Sequence, residues 1–326
     1  MLIRTQIDSA HLAGNLLGDP SRRPLFVYLP PGYIDSERHY PTAYLLHAFG
    51  SSAELLVAPA IDGPRWTPPI EDVLDPVFGR MGVAPMIVVI PDGWTRWGCS
   101  QWVDSPVNGR FEQYLLHEVV AHVDANYRTL AQAASRGVFG FSSGGFGAWH
   151  LASRNPEVFG ATALLSADSY FELTHKPALY KYLDSVRPAA PDGPVEGNDL
   201  SQLVYALAAC YSPNPARPPL HVDLPVDPVS GTLMQVVWER WLAFDPVINV
   251  RDRLDKLRRL RGILLDVGVH DEYHAQWGHR QLSQRLHDAG IAHEARENSG
   301  NHGGRSRERI QVALQWLAQV LVRDAN

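Results

Sequence analysis

The sequence predicts an α/β fold with a mostly parallel central sheet, helices on both of its faces, and a partly helical insertion late in the chain. Three observations carry this. Short apolar runs at 86–90, 137–141, 161–165 and 263–267 alternate with segments of helical spacing, the pattern of strands joined by crossover helices. The run Gly140-Phe141-Ser142-Ser143-Gly144 lies between an apolar strand and a helix-like stretch, a setting that lifts one serine above the edge of a parallel sheet. From Tyr170 to about Pro246 the alternation fails, over a length too great for a plain loop in a compact domain.

With 326 residues, 45% hydrophobic and 20% charged, the chain can bury a large core without disulfides or metal. The expected organisation is one α/β body, 1–169 and 248–326, with a cap or lid at 170–247. A net charge of -6 and a pI near 6.1 argue against nucleic acid or an anionic membrane surface as partner and favour a small neutral or weakly charged substrate. The opening MLIRTQIDSAHLAGNLLG lacks the features of a signal peptide, and no run approaches membrane-spanning length, so a cytoplasmic location is expected. The two cysteines, Cys99 and Cys210, are expected as reduced thiols, and neither sits in a nucleophile setting. Association into a homo-oligomer is left open.

Taken in order, residues 1–30 alternate in the manner of antiparallel strands at a sheet edge and end at Pro30-Pro31-Gly32-Tyr33. The strand at 40–47 runs into Ala48-Phe49-Gly50-Ser51-Ser52, a small-residue loop suited to placing a backbone N–H near the serine. A helix follows at 70–81. The β-branched strand at 86–90 is apolar throughout, as in a central strand covered on both faces. Residues 94–110 form a loop carrying Trp94, Trp97 and Trp102, and 111–127 an amphipathic helix with Leu115, Val119 and Val123 on its apolar side. Strand 137–141, helix 147–153 and strand 161–165 come next. The insertion opens with Tyr170 and Phe171, contains proline-rich stretches at 187–191 and 213–219, and closes with Trp238 and Trp241. Helices at 250–260, 276–289 and 305–322 and strands at 263–267 and 292–297 complete the chain. The basic run 251–261 reads as a solvated helix face, because its leucines at 254, 257 and 260 keep i, i+3 spacing.

A serine hydroxyl is a poor nucleophile until a base takes its proton, and the base needs an acid to fix its tautomer. Ser142 is the candidate, with Gly140 and Gly144 where a side chain would strike neighbouring backbone. In this motif class the acid and histidine follow in loops after late strands. Asp271 is preferred as the acid over Glu272, beside it in the turn, and Asp266 falls inside the strand. His302 stands in the loop Asn298-Ser299-Gly300-Asn301-His302-Gly303-Gly304 ahead of the last helix, as the base requires. A metal hydrolase built on His270, His274 and His279 is the weaker alternative, since His-Asp-Glu-Tyr-His is not H-E-x-x-H.

The blocks YPTAYLLHAFG, MIVVIPDG, WVDSPVNGRFEQYLLHEVVAHVDANYRT, GFSSGGFGA, GVHDEY and GNHGG, in that order, resemble the esterase family of α/β-hydrolases that includes esterase D (S-formylglutathione hydrolase), the antigen 85 mycolyltransferases and enterochelin esterases. The resemblance implies the α/β-hydrolase fold, with Ser142, Asp271 and His302 as nucleophile, acid and base. It also implies an oxyanion hole formed by the backbone N–H groups of Phe49 and Ser143. The expected activity is hydrolysis of short-chain or aromatic acyl esters through an acyl-enzyme, with acyl transfer or thioester hydrolysis on the same site as alternatives. A non-catalytic binding protein of the same fold is the rival from another class. No metal or cofactor is implied. Trp94, Trp97, Trp102, Trp238 and Trp241, in loops at the strands' carboxyl ends and in the insertion, are expected to wall the substrate cleft.

Overall fold

Eight strands form one mixed sheet in a computed structural model that describes residues 1–62, 65–79, 82–186 and 201–323. They are β1 (Leu2–Asp8), β2 (Arg22–Tyr28), β3 (Thr42–Leu46), β4 (Ile87–Pro91), β5 (Arg136–Phe141), β6 (Ala161–Leu165), β7 (Gly262–Gly268) and β8 (Glu294–Asn298). Their order across the sheet is β1-β2-β4-β3-β5-β6-β7-β8. β2 pairs antiparallel with β1 and with β4, and every later pairing is parallel. The expected edge hairpin is therefore the first two strands. At the far edge β8 reads EAREN and is largely exposed, the charged composition that discourages edge-to-edge pairing.

Alternation along the central strands sorts their side chains to two cores. Phe26, Tyr28, Ala43, Leu45, Val88, Ile90 and Phe139 face one side, where α1 (Ile70–Gly79) and the C-terminal helix Ser306–Val320 pack on them. Leu25, Val27, Tyr44, Leu46, Ile87, Val89 and Val138 face the other, under the helical stretch α2 (111–126) and α3 (Ser143–Arg154). The middle of α2, Tyr114–Val119, is π-helical, and Leu115, Val119 and Val123 are all buried as their spacing predicts.

The 170–247 segment contributes α4 (Phe171–Val186), α5 (Ser201–Tyr211) and α6 (Gln235–Leu242). These form their own apolar cluster with Trp97, Val103 and Val107 of the loop after β4 and with Phe146 of α3. The proline-rich run 187–191 and the end of the predicted 70–81 helix, at 80–81, lie outside the described residues.

Most element boundaries fall within one or two residues of expectation, and three differences have a local reason. α3 begins at Ser143 rather than 147, because the turn after β5 passes directly into the helix. The predicted helix at 250–260 is a 3₁₀ turn, Val250–Arg253, followed by one α-turn, Leu254–Leu257. Of its three leucines only Leu257 is fully buried, and Arg253 turns inward to donate to Ser153 Oγ at 2.6 Å. β8 starts two residues late, where Glu294 pairs with Leu264 of β7. Two longer helices follow, α7 (Ala275–Asp288) and α8 (Ser306–Val320).

Candidate active site

β5 passes into α3 through Ser142, whose φ of 55° and ψ of -120° are rare for a residue with a side chain. Such a conformation costs about 1–3 kcal/mol and persists where neighbours over-determine it. Here Ser142 N–H donates to Leu165 O at 2.9 Å, and Phe146 N–H donates to Ser142 O at 2.9 Å. The crossing is close enough that a Cβ on Gly144 would lie 2.1 Å from Leu46 O, and one on Gly140 2.5 Å from the Gly144 carbonyl carbon.

The carboxyl ends of β5 and β7 and the loop after β8 bring three distant residues together. His302 Nε2 lies 3.0 Å from Ser142 Oγ, and its Nδ1 lies 2.8 Å from Asp271 Oδ2. Because Asp271 can only accept as a carboxylate, it selects the Nδ1–H tautomer and leaves Nε2 to accept the serine proton. The Asp271 side chain is fully buried, and its other oxygen accepts Tyr273 N–H at 3.0 Å. Burial alone pushes this carboxyl up, but the hydrogen bond and charge of His302 outweigh it and hold the group below the ordinary carboxylate range.

The other two carboxylates considered hold the loop, not the ring. Glu272 accepts the backbone N–H of His302 at 2.9 Å. Asp266 pairs with Arg309 of α8, which also donates to Asp266 O at 2.7 Å and to His302 O at 3.3 Å. The imidazole stands edge-on between Phe141, at 5.3 Å, and Tyr273, at 4.7 Å.

The loop after β3 is fixed by a buried histidine. His47 Nε2 accepts Gly93 N–H at 2.9 Å, so its Nδ1–H donates to Ala48 O at 3.0 Å. Burial lowers the pKa of His47 and keeps the ring neutral for this double role. The hydrogen bond sets the plane of the Ala48–Phe49 peptide, which carries the Phe49 N–H. Ser143 supplies an N–H from the first turn of α3, where intrahelical partners are lacking. Phe49 and Ser143 both line the cavity above Ser142 and His302, a space of about 220 Å³.

The tryptophans are the expectation that the structure corrects. Among the described residues none of the five lines that cavity. Trp102 is fully buried against Gly93, Gly147 and the His47 ring. Trp97 packs on Tyr205, Trp238 donates to Glu172 at 2.8 Å, and Trp241 donates to Ser212 Oγ at 2.7 Å. Trp94 is half-buried in a separate surface hollow with Pro24 and Ser52. Large indoles gain most by burying their area, and four of these do so in the cores that join loop and insertion to the body. The cavity walls are instead Phe49, Phe141 and Tyr273 from the body and Thr174, His175, Ala178 and Leu203 from α4 and α5.

Sequence reasoning also missed Asp168 and His175, which both line the cavity. Asp168 stands just past the carboxyl end of β6, so the positional rule that found Asp271 could have flagged it. His175, within a helix, carried no such signal. Of the three histidines weighed for metal, His279 accepts Ala167 N–H at 2.9 Å, and burial takes its pKa down to about 3. No cluster of three His, Cys, Asp or Glu side chains suited to a metal occurs among the described residues. Both cysteines are buried, with Cys99 pushed up to about 12 by burial.

The profile of the family described as "Putative esterase" matches residues 20–315. Esterase Rv1288 of Mycobacterium tuberculosis (strain ATCC 25618 / H37Rv) is 28% identical over 294 residues, which cover 85% of this chain and 51% of that protein. The chain thus spans about half the length of the curated relatives it matches. A solved ferulic acid esterase superposes with a TM-score of 0.62 at 18% identity, covering 98% of both chains. An S-formylglutathione hydrolase from Agrobacterium tumefaciens gives 0.61 at 17% identity, over 99% of this chain and 96% of that one. These structural likenesses show the α/β-hydrolase fold.

Proposed function

Since the chain belongs to the esterase family whose profile it matches over residues 20–315, we propose that it is a serine carboxylesterase acting on short-chain or aromatic acyl esters. The observation that carries the proposal is the hydrogen-bonded series Ser142–His302–Asp271 opening on a cavity. Ser142 Oγ attacks the ester carbonyl as His302 Nε2 takes its proton, and Asp271 stabilises the imidazolium that forms. The backbone N–H groups of Phe49 and Ser143 hold the tetrahedral oxyanion. His302 then returns the proton to the leaving alcohol, and water, activated by the same ring, hydrolyses the acyl-enzyme.

Residues 170–247 act as the cap, walling the cavity with α4 and α5. The small volume and the rings of Phe49, Phe141 and Tyr273 support a short or flat acyl group. Among the described residues no helix is long and apolar enough to cross a membrane. The cytoplasmic location belongs to the same proposal, supported by two unpaired buried cysteines.

The test is hydrolysis of p-nitrophenyl butyrate and decanoate. Ser142→Ala should lose about 10⁴–10⁶-fold in kcat, as removal of a triad nucleophile does. Ser143→Ala should keep much of the activity because its backbone N–H remains, and the wild type should favour butyrate. Equal and complete loss in both variants sinks the assignment of the nucleophile.

A further inference from the structure

We propose that Asp168 and His175 form a hydroxyl-recognition subsite beside Ser142, so that preferred substrates are esters with a free hydroxyl within two or three bonds of the ester group. The inference rests on Ser142 being the nucleophile and names the chemistry of what it attacks.

Asp168 is held in place before any substrate arrives. Around it, Ser166 N–H donates to Asp266 O at 2.8 Å, Ala167 N–H donates to His279 Nε2 at 2.9 Å, and Ser169 Oγ donates to Ala167 O at 3.2 Å. The next two backbone N–H groups, of Tyr170 and Phe171, are both accepted by the Asp245 carboxylate, at 2.9 and 2.7 Å. The carboxylate itself is half satisfied. Its Oδ2 accepts the Ser143 hydroxyl at 3.1 Å, and Ser143 Oγ in turn accepts from Gln101 Nε2 at 2.9 Å.

Its Oδ1 lies 3.5 Å from Ser142 Oγ. Ser142 has one proton, and His302 Nε2 at 3.0 Å is the nearer acceptor, so Oδ1 is left without a donor. No ion pair reaches Asp168 among the described residues. An uncompensated carboxylate here opposes the negative charge that develops on the carbonyl oxygen during attack.

His175 completes the arrangement from α4. It is 4% exposed, its ring packs 4.2 Å from that of Phe171, and its Nε2 has no hydrogen-bond partner. Burial holds the ring neutral, so it offers a donor and an acceptor rather than a charge. The rest of the lining combines apolar Phe49, Phe141, Ala178 and Leu203 with Tyr273 and with Thr174, whose hydroxyl donates to Tyr170 O at 3.5 Å. With His175 in its Nε2–H tautomer, a substrate hydroxyl answers both unpartnered atoms, donating to Asp168 Oδ1 and accepting from Nε2–H. An alkyl group answers neither, and an ammonium cannot accept. Sites built to bond a hydroxyl discriminate against the analogue lacking it because their own polar atoms are then buried unpaired.

Two matched pairs of esters test this. One varies the acyl side, p-nitrophenyl 3-hydroxybutyrate against butyrate; the other varies the alcohol side, 2-hydroxyethyl butyrate against propyl butyrate. Each kcat/KM is divided by the ester's rate constant for alkaline hydrolysis. The wild type should favour the hydroxyl member of at least one pair by about 10–100-fold, and the pair that responds shows which side carries the hydroxyl. That ratio should fall below about threefold in Asp168→Ala and in His175→Phe. Asp168→Asn, which keeps an oxygen acceptor, should retain part of it and serves if the alanine variant does not fold. Hydrolysis with no hydroxyl preference in either pair overturns the inference and leaves the esterase reading standing. A preference that survives in every variant, or a larger one for 2-aminoethyl butyrate, also overturns it. No hydrolysis of any ester by the wild type sinks the esterase reading, and this inference with it.

Discussion

A single methyl group at position 144 places a Cβ 2.1 Å from Leu46 O and 2.7 Å from His47 O, both backbone atoms that no rotamer change can move. Relieving Gly144→Ala requires the end of β3 and the first turn of α3 to part by roughly 1 Å, the scale of misplacement that costs about 10²-fold in rate. The two N–H groups assigned to the oxyanion lie on either side of this contact, Phe49 just past His47 and Ser143 just before Gly144. We therefore expect kcat/KM for p-nitrophenyl butyrate to fall about 10²-fold, mostly in kcat, because the lost interaction belongs to the transition state. Overpacking of this kind should lower stability by about 1–3 kcal/mol, read from urea unfolding. A variant within about fivefold of wild type in rate and unchanged in unfolding midpoint refutes the close crossing. Lost stability with a normal rate would keep the crossing but refute the link between it and the oxyanion donors.

Two further outcomes are expected. Asp271→Asn should lower kcat by about 10⁴ through loss of tautomer control, whereas Glu272→Gln, which keeps an acceptor for His302 N–H, should be much milder; reversed effects would make Glu272 the acid. The second concerns acid. Burial lowers the pKa of His47, His175 and His279 in the folded chain, the last to about 3, against about 6.5 for a free histidine. Above about pH 6.5 both states are neutral and the full stability is present. As pH falls, the unfolded chain binds protons that the folded chain refuses, so stability drops by up to about 1.4 kcal/mol per pH unit for each such histidine. For His279 this window runs from about 6.5 down to about 3. Urea unfolding between about pH 7 and pH 5 should show the slope, and His279→Gln, whose amide oxygen can still accept Ala167 N–H, should remove up to about one proton from it. An unchanged slope in that variant counts against a neutral His279.

Much of the site is legible in the sequence because its geometry is local. Gly140 to Gly144 encode a strand-to-helix crossing within five residues, and Asp271 and His302 each follow a strand whose apolar or alternating run can be read directly. What could not be read depends on contacts between distant segments. Whether Trp102 faces a cleft or a core is decided by Gly93 and Gly147, which leave room for its ring. The break at 250–257 depends on Arg253 finding Ser153, a hundred positions earlier. Asp168 was visible as a position but not as a chemical group, because its partner Ser143 opens α3 and is itself bonded to Gln101 of the loop after β4.

Phe146 sits one turn along the helix that Ser142 begins, with its ring 6.0 Å from that of Phe171 and 5.7 Å from that of Tyr211. Nearby, Ser105 Oγ donates to Ala209 O at 2.5 Å, and Asn108 Nδ2 donates to Cys210 Sγ at 3.2 Å. The roof of the cavity and its floor are thus rooted in the same rings, which makes the 170–247 segment a poor unit of exchange. Grafting the corresponding stretch from a relative would set Phe146, Trp97 and Val103 against foreign partners and disturb the helix that Ser142 begins. Divergence toward new esters is easier by single replacements at Thr174, Ala178 and Leu203, which face the cavity from elements anchored by their other sides.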